Sequence, residues 1–141
     1  MGLLEDLYQE VVLTRYKAPK KRGTLPNPSR ISGGKNPSCG DEIELYLTLE
    51  DGVIKDVCYQ GQGCAVSQAS ADLMAELVSG KTVKEALELA KKFKAMVVEG
   101  APPAPELGDL AALAGVAKLP SRVKCTTLAW HALEDALKEA A

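Results

Sequence analysis

The chain has 141 residues, 46% of them hydrophobic and 26% charged, which suits one globular domain with a single buried core. Its 17 basic side chains stand against 19 acidic ones, and a formal net charge of −2 gives no overall case for a nucleic-acid or membrane-surface partner. No apolar run approaches the roughly 20 residues of a membrane span, and no secretory h-region is expected, which points to the cytoplasm.

Leu3, Leu4, Leu7, Tyr8, Val11 and Val12 recur at helical spacing, which predicts an amphipathic helix over residues 3–15. From Tyr16 to Pro37 the chain carries four prolines and three glycines with Lys17, Lys20, Lys21, Arg22, Arg30 and Lys35, and no acidic residue. This stretch reads as a long basic loop with a short edge strand near 29–32, either a solvated segment or a docking surface for an acidic partner. Ile43, Leu45, Leu47 and Leu49 then alternate with Glu44, Tyr46, Thr48 and Glu50, the pattern of a strand with one buried face. Asp51-Gly52 signals a hairpin, with 53–60 as the returning strand. Gly61-Gln62-Gly63 leads into a helix over about 65–79 that Gly80 stops. Thr82-Val83-Lys84-Glu85 matches a capping box and opens a helix to about 94. A short helix is predicted at 107–113 and a final one after Pro120. The order implies an α+β fold, a single domain over 1–141 with a small antiparallel sheet, an N-terminal helix and helices packed on one face.

The four cysteines, Cys39, Cys58, Cys64 and Cys125, are too few for a disulfide framework. In a reducing compartment they lean towards metal binding or catalysis. In an extended backbone Cys39 and Asp41 share parity with Ile43 and Leu45, so thiol and carboxylate point to one side. Cys64 falls at a helix start, where the dipole and free N–H groups favour negative charge, behind glycines that admit a close approach. Cys125 follows Arg122 and Lys124, whose charges would help balance a thiolate-rich site. Cys58, between Val57 and Tyr59 inside a strand, reads as an inert packing residue. Two readings stay open for the other three cysteines. They are independent small core residues, or they share a four-coordinate site with Asp41 suited to zinc or an iron–sulfur cluster. His131 lies roughly 240° round the helix from Cys125 and is expected to face away from it. Trp130 reads as a packing or interface anchor.

Three separated motifs carry a resemblance: Asn36-Pro37-Ser38-Cys39-Gly40-Asp41, Gly61-Gln62-Gly63-Cys64-Ala65-Val66-Ser67 with Ala69-Ser70, and Arg122-Val123-Lys124-Cys125. In order and flanks they are similar to those of the iron–sulfur cluster scaffold family (IscU, SufU and the N-terminal domain of NifU). The likeness extends to Leu7-Tyr8, Tyr16-Lys17 and residues 80–87. It implies a small α+β fold in which Cys39, Asp41, Cys64 and Cys125 hold zinc or, transiently, a 2Fe–2S or 4Fe–4S cluster. It also implies a scaffold and sulfur acceptor rather than an enzyme. Persulfide sulfur would come from a cysteine desulfurase, to Cys125 in the scaffold branch or Cys39 in the zinc-dependent branch, and the product would pass to iron–sulfur acceptor proteins. Lys124 stands where the IscU branch has a histidine, and extra residues occupy about 97–118; both features resemble the SufU branch. The rival readings are a zinc-dependent sulfur-transfer partner that never holds a cluster, a cluster scaffold that acquires zinc incidentally, a structural zinc protein, and a cysteine-dependent enzyme with Cys64 or Cys125 as nucleophile, which lacks a plausible base. A cluster bridging two chains would make a homo-oligomer, a state the sequence leaves open.

Overall fold

The computed structural model describes residues 3–36 and 40–138, with side chains described from residue 9 onward except that of Asn36. Pro37, Ser38 and Cys39, and the side chains of Leu3, Leu4, Leu7 and Tyr8, therefore lie outside the described residues. In chain order the elements are α1 (Leu3–Lys17), β1 (Arg30–Asn36), β2 (Asp41–Glu50), β3 (Val53–Gln62), α2 (Ala65–Val78), α3 (Val83–Glu99), a 3-10 segment (Pro105–Lys118) and α4 (Pro120–Leu137).

The strands form one antiparallel sheet in the order β1-β2-β3. Asp51 and Gly52 turn the β2–β3 hairpin with φ of 53° and 77°, the paired left-handed conformation that a two-residue turn of matching twist requires. Alternation along β2 buries Ile43, Leu45 and Leu47, joined by Val57 and Tyr59 of β3. Helices α4 and α2 cover that face, α4 over β1 and β2 and α2 over β3, while α1 lies against α2 and the 3-10 segment. This is the expected α+β architecture. Phe93 of α3 and Trp130 of α4 stack with ring centroids 4.5 Å apart, both fully buried, so Trp130 is a core anchor.

Two elements outrun their sequence signals. β1 reaches Asn36 because Gly33 and Gly34 serve packing and not a turn. A Cβ on Gly34 would meet Leu128 Cδ1 of α4 at 2.9 Å, so glycine lets the helix settle on the strand. α3 continues to Glu99 and stops only at Gly100, whose φ of 76° is left-handed. Its start is as expected: Thr82 accepts the Glu85 N–H and the Glu85 carboxylate accepts the Thr82 N–H.

The basic loop is not free chain. Asp72, the carboxylate on the inner side of α2, is 0% exposed. It accepts from Arg15 Nη1 at 3.0 Å and from the backbone N–H groups of Lys20 and Lys21 at 2.9 and 2.7 Å. Arg15 also binds Glu76, and that hydrogen bond holds the Glu76 carboxyl below its ordinary value. Lys20 pairs with Glu76 at 3.4 Å and Lys21 with Asp56 at 2.7 Å, so part of the loop's charge is answered within the chain. Beyond this clip, Gly23 N–H donates to Tyr59 O at 2.7 Å and Tyr59 N–H donates to Lys21 O at 3.1 Å. At the other end of β3, Gly80 N–H donates to Ile54 O at 2.7 Å and Ile54 N–H to Lys81 O at 2.8 Å. The outer edge of β3 is thereby occupied along both halves, which removes a template for intermolecular strand pairing. Among the described residues, no helix is long and apolar enough to cross a membrane.

Candidate metal centre

The first residue of β2, the residue capping α2 and a residue in the second turn of α4 meet at one end of the sheet. They are Asp41, Cys64 and Cys125, and a carboxylate oxygen and the two sulfurs lie within 4.8 Å of one another. Asp41 shares the inward parity of Ile43 and Leu45 and is 1% exposed. Cys64 is half-buried and Cys125 is 1% exposed.

Each candidate ligand is held from behind. Asp41 Oδ1 accepts the Cys64 backbone N–H at 2.8 Å, with Ser67 Oγ at 3.3 Å from the same oxygen. Ser67 Oγ is also 3.1 Å from Cys64 O, and Gln68 Nε2 donates to it at 3.3 Å. Asp41 and Cys64 therefore form one preorganised half. The approach depends on glycine: a Cβ on Gly63, at φ of 140°, would sit 2.0 Å from Asp41 Oδ1. A Cβ on Gly61 would sit 2.0 Å from Glu42 O. The other half is fixed through α4. Ser70 Oγ donates to Thr126 O at 2.7 Å and accepts Trp130 Nε1–H at 3.2 Å, tying α2 to the backbone next to Cys125. The Cys125 thiol lies 3.8 Å from Ser121 O.

The donor set fits a thiophilic metal. Asp41 Oδ2 is buried without a hydrogen-bond partner, an arrangement that is costly for a carboxylate unless a cation meets it. A tetrahedral zinc with bonds of about 2.3 Å would set sulfur atoms roughly 3.8 Å apart, within the spread these residues already have. The first turns of α2 and α4 contain no acidic residue of their own, and at the start of α2 the Asp41 carboxylate meets the Cys64 N–H. Arg122 and Lys124 are exposed, one and three residues before Cys125 in reverse order.

Cys39 lies outside the described residues, so the described part of the expected four-residue set is Asp41, Cys64 and Cys125. Cys58 stands on the opposite sheet face, across from Tyr46. Burial, then the neighbouring Asp56, pushes its thiol up, which keeps it protonated at neutral pH and a poor ligand. Cys58→Ser is expected to retain metal in full, read as metal per chain by atomic emission; a loss would put Cys58 in the site. His131 is exposed, with Nδ1 3.7 Å from Glu134, and takes no part in the three-residue cluster. Sequence reasoning missed the supporting roles of Ser67, Gln68 and Ser70. Their signal was present as polar residues at positions of α2 that an apolar helix face would otherwise fill.

A family model described as NifU-like N terminal domain matches residues 7–139. The zinc-dependent sulfurtransferase SufU of Bacillus subtilis (strain 168) is 40% identical over 132 residues, covering 93% of this chain and 89% of that protein. The iron–sulfur cluster assembly scaffold protein IscU of Streptococcus pyogenes serotype M1 is 43% identical, covering 100% of this chain and 89% of that one. A crystal structure described as a putative iron–sulfur cluster assembly scaffold protein for the SUF system, from Fervidobacterium islandicum AW-1, superposes with a TM-score of 0.87. It is 39% identical and covers 96% of this chain and 99% of that one. Sequence, fold and the convergence of Asp41, Cys64 and Cys125 agree, and the chain belongs to the family of NifU-like N-terminal domains.

Proposed function

We propose that the chain is an iron–sulfur cluster assembly protein that accepts persulfide sulfur from a cysteine desulfurase and relays it towards cluster formation, with Cys39, Asp41, Cys64 and Cys125 as metal ligands. The observation that carries this is the meeting of two sulfurs and an Asp41 carboxylate oxygen within 4.8 Å, in a buried carboxylate whose Oδ2 has no hydrogen-bond partner. Its similarity to SufU and IscU supports the same direction. Zinc bound to such a set keeps its thiolates deprotonated at neutral pH.

The transfer is a thiol–persulfide exchange. A thiolate attacks the outer sulfur of the desulfurase persulfide and forms a new S–S bond. The old S–S bond breaks, and the desulfurase cysteine leaves as a thiolate, so no external oxidant or reductant is consumed. Cys39 is the proposed first acceptor, as the resemblance to SufU suggests, and the 1% exposure of Cys125 supports this assignment. Asp41 is the weakest donor in a thiolate set, and its hold by the Cys64 N–H and by Ser67 keeps one oxygen directed to the metal position.

The test is incubation of protein isolated without air with desulfurase and cysteine. The chain is expected to carry zinc and to gain sulfur on the peptide containing Cys39, with the gain abolished in Cys39→Ser. An active desulfurase that leaves no sulfur on the chain overturns the proposal, and unfolding on chelation would then favour a purely structural zinc. A second reading, in which the chain holds the cluster itself as cargo, is favoured by its 43% identity to a scaffold-named relative. It requires iron and acid-labile sulfide to remain bound after anaerobic reconstitution.

A further inference from the structure

A cleft of about 190 Å3 is lined by Lys35 of β1 and by Lys124, Thr127, Leu128 and His131 of α4. The four α4 residues follow the i, i+3, i+4, i+7 spacing of one helix face. Lys35 stands opposite Glu42 in the register, beside the Asn36–Asp41 pair, and Lys124 directly precedes Cys125. Continuing along the chain, the Lys35 side leads to Cys39 and the Lys124 side to Cys125. The cleft thus lies between β1 and the stretch of α4 that carries Cys125.

We propose that this cleft is the docking point for an acidic segment of the sulfur-donating protein, an inference that rests on the function proposed above. Its chemistry is complementary to carboxylates: two lysine ammonium groups and an imidazole surround an apolar floor at Leu128, and no acidic residue lines it. The nearest carboxylates do not satisfy it. Glu42 lies 3.6 Å from Lys35 and Glu134 lies 3.7 Å from His131, and with Lys35 and His131 themselves exposed such pairs contribute little. Lys124 makes no ion pair among the described residues. The volume commits the occupant to a protein. It is smaller than the roughly 300–1,000 Å3 of small-molecule sites and suits one or two side chains reaching in from a docked surface. Lys21, which the sequence offered as a docking charge, is only 22% exposed in its 2.7 Å pair with Asp56, whereas Lys35, Lys124 and His131 are exposed.

The test is the affinity of the purified cysteine desulfurase of the same cell for the metal-loaded chain and for a Lys35→Glu, His131→Glu double variant. Neither position is a proposed ligand. Binding is expected to weaken about tenfold, mainly through slower association, with the difference shrinking as salt rises. Metal content and unfolding midpoint should not change. The neutral pair Lys35→Gln, His131→Gln should fall between the two. Equal affinities for the wild type and both variants, with sulfur still accepted, overturn the cleft alone. A wild type that neither binds the desulfurase nor accepts sulfur overturns the functional proposal and the cleft together.

Discussion

Asp72→Ala is expected to destabilise the domain by about 3–5 kcal/mol, because it removes one partner of a buried ion pair and strands the other. The midpoint of urea unfolding, with its slope unchanged, is the measurement. Arg15 is 7% exposed and would lose its Asp72 contact while keeping only the half-exposed Glu76. The N–H groups of Lys20 and Lys21 would lose their acceptor at the same time. Asp72→Asn keeps the shape but removes the charge and one acceptor oxygen, so its loss should be smaller. A destabilisation below about 1 kcal/mol for the alanine variant would mean that the clip is solvated in practice and contributes no more than a surface pair.

Gly63→Ala is expected to lower zinc affinity about 100-fold while leaving most of the fold in place, the scale seen when residues supporting a ligand are disturbed. The added Cβ would stand 2.0 Å from Asp41 Oδ1 and 2.9 Å from Asp41 Cα, and φ of 140° disfavours any side chain there. Relief requires the start of β2 to move away from the α2 cap, which separates Asp41 from Cys64. Competition with a chromophoric chelator measures the affinity, and far-ultraviolet circular dichroism checks the fold. Zinc affinity within threefold of wild type would show that the carboxylate relocates freely and that the close packing of Gly63 is not what sets the ligand.

The sheet and the site were readable to different depths. Alternation from Ile43 to Leu49, the Asp51-Gly52 turn and the Thr82–Glu85 box are local signals, each set by residues within a few positions, and the structure follows them. Parity along the strand placed Asp41 inward, and the helix start placed Cys64, so the two nearest ligands were open to physical reasoning. What spacing could not supply was their meeting with Cys125, which lies 61 residues beyond Cys64 and reaches it through the packing of α4 on α2. Only the resemblance carried that step. Charge counting in the basic loop sees Lys20 and Lys21 but not their carboxylate partners on α2 and β3. Gly33 and Gly34 were misread because an absent Cβ signals a turn and a close helix contact alike.

The described candidate ligands come from the start of β2, the cap of α2 and the second turn of α4. During synthesis the last of them, Cys125, emerges long after the sheet is complete, and it reaches Asp41 only once α4 has docked. Before then a nascent chain presents Asp41 and Cys64, with Cys39 as the third proposed ligand, and no closed four-ligand cage. Closing the proposed four-ligand cage therefore waits on the docking of α4, the last element of the chain to be made.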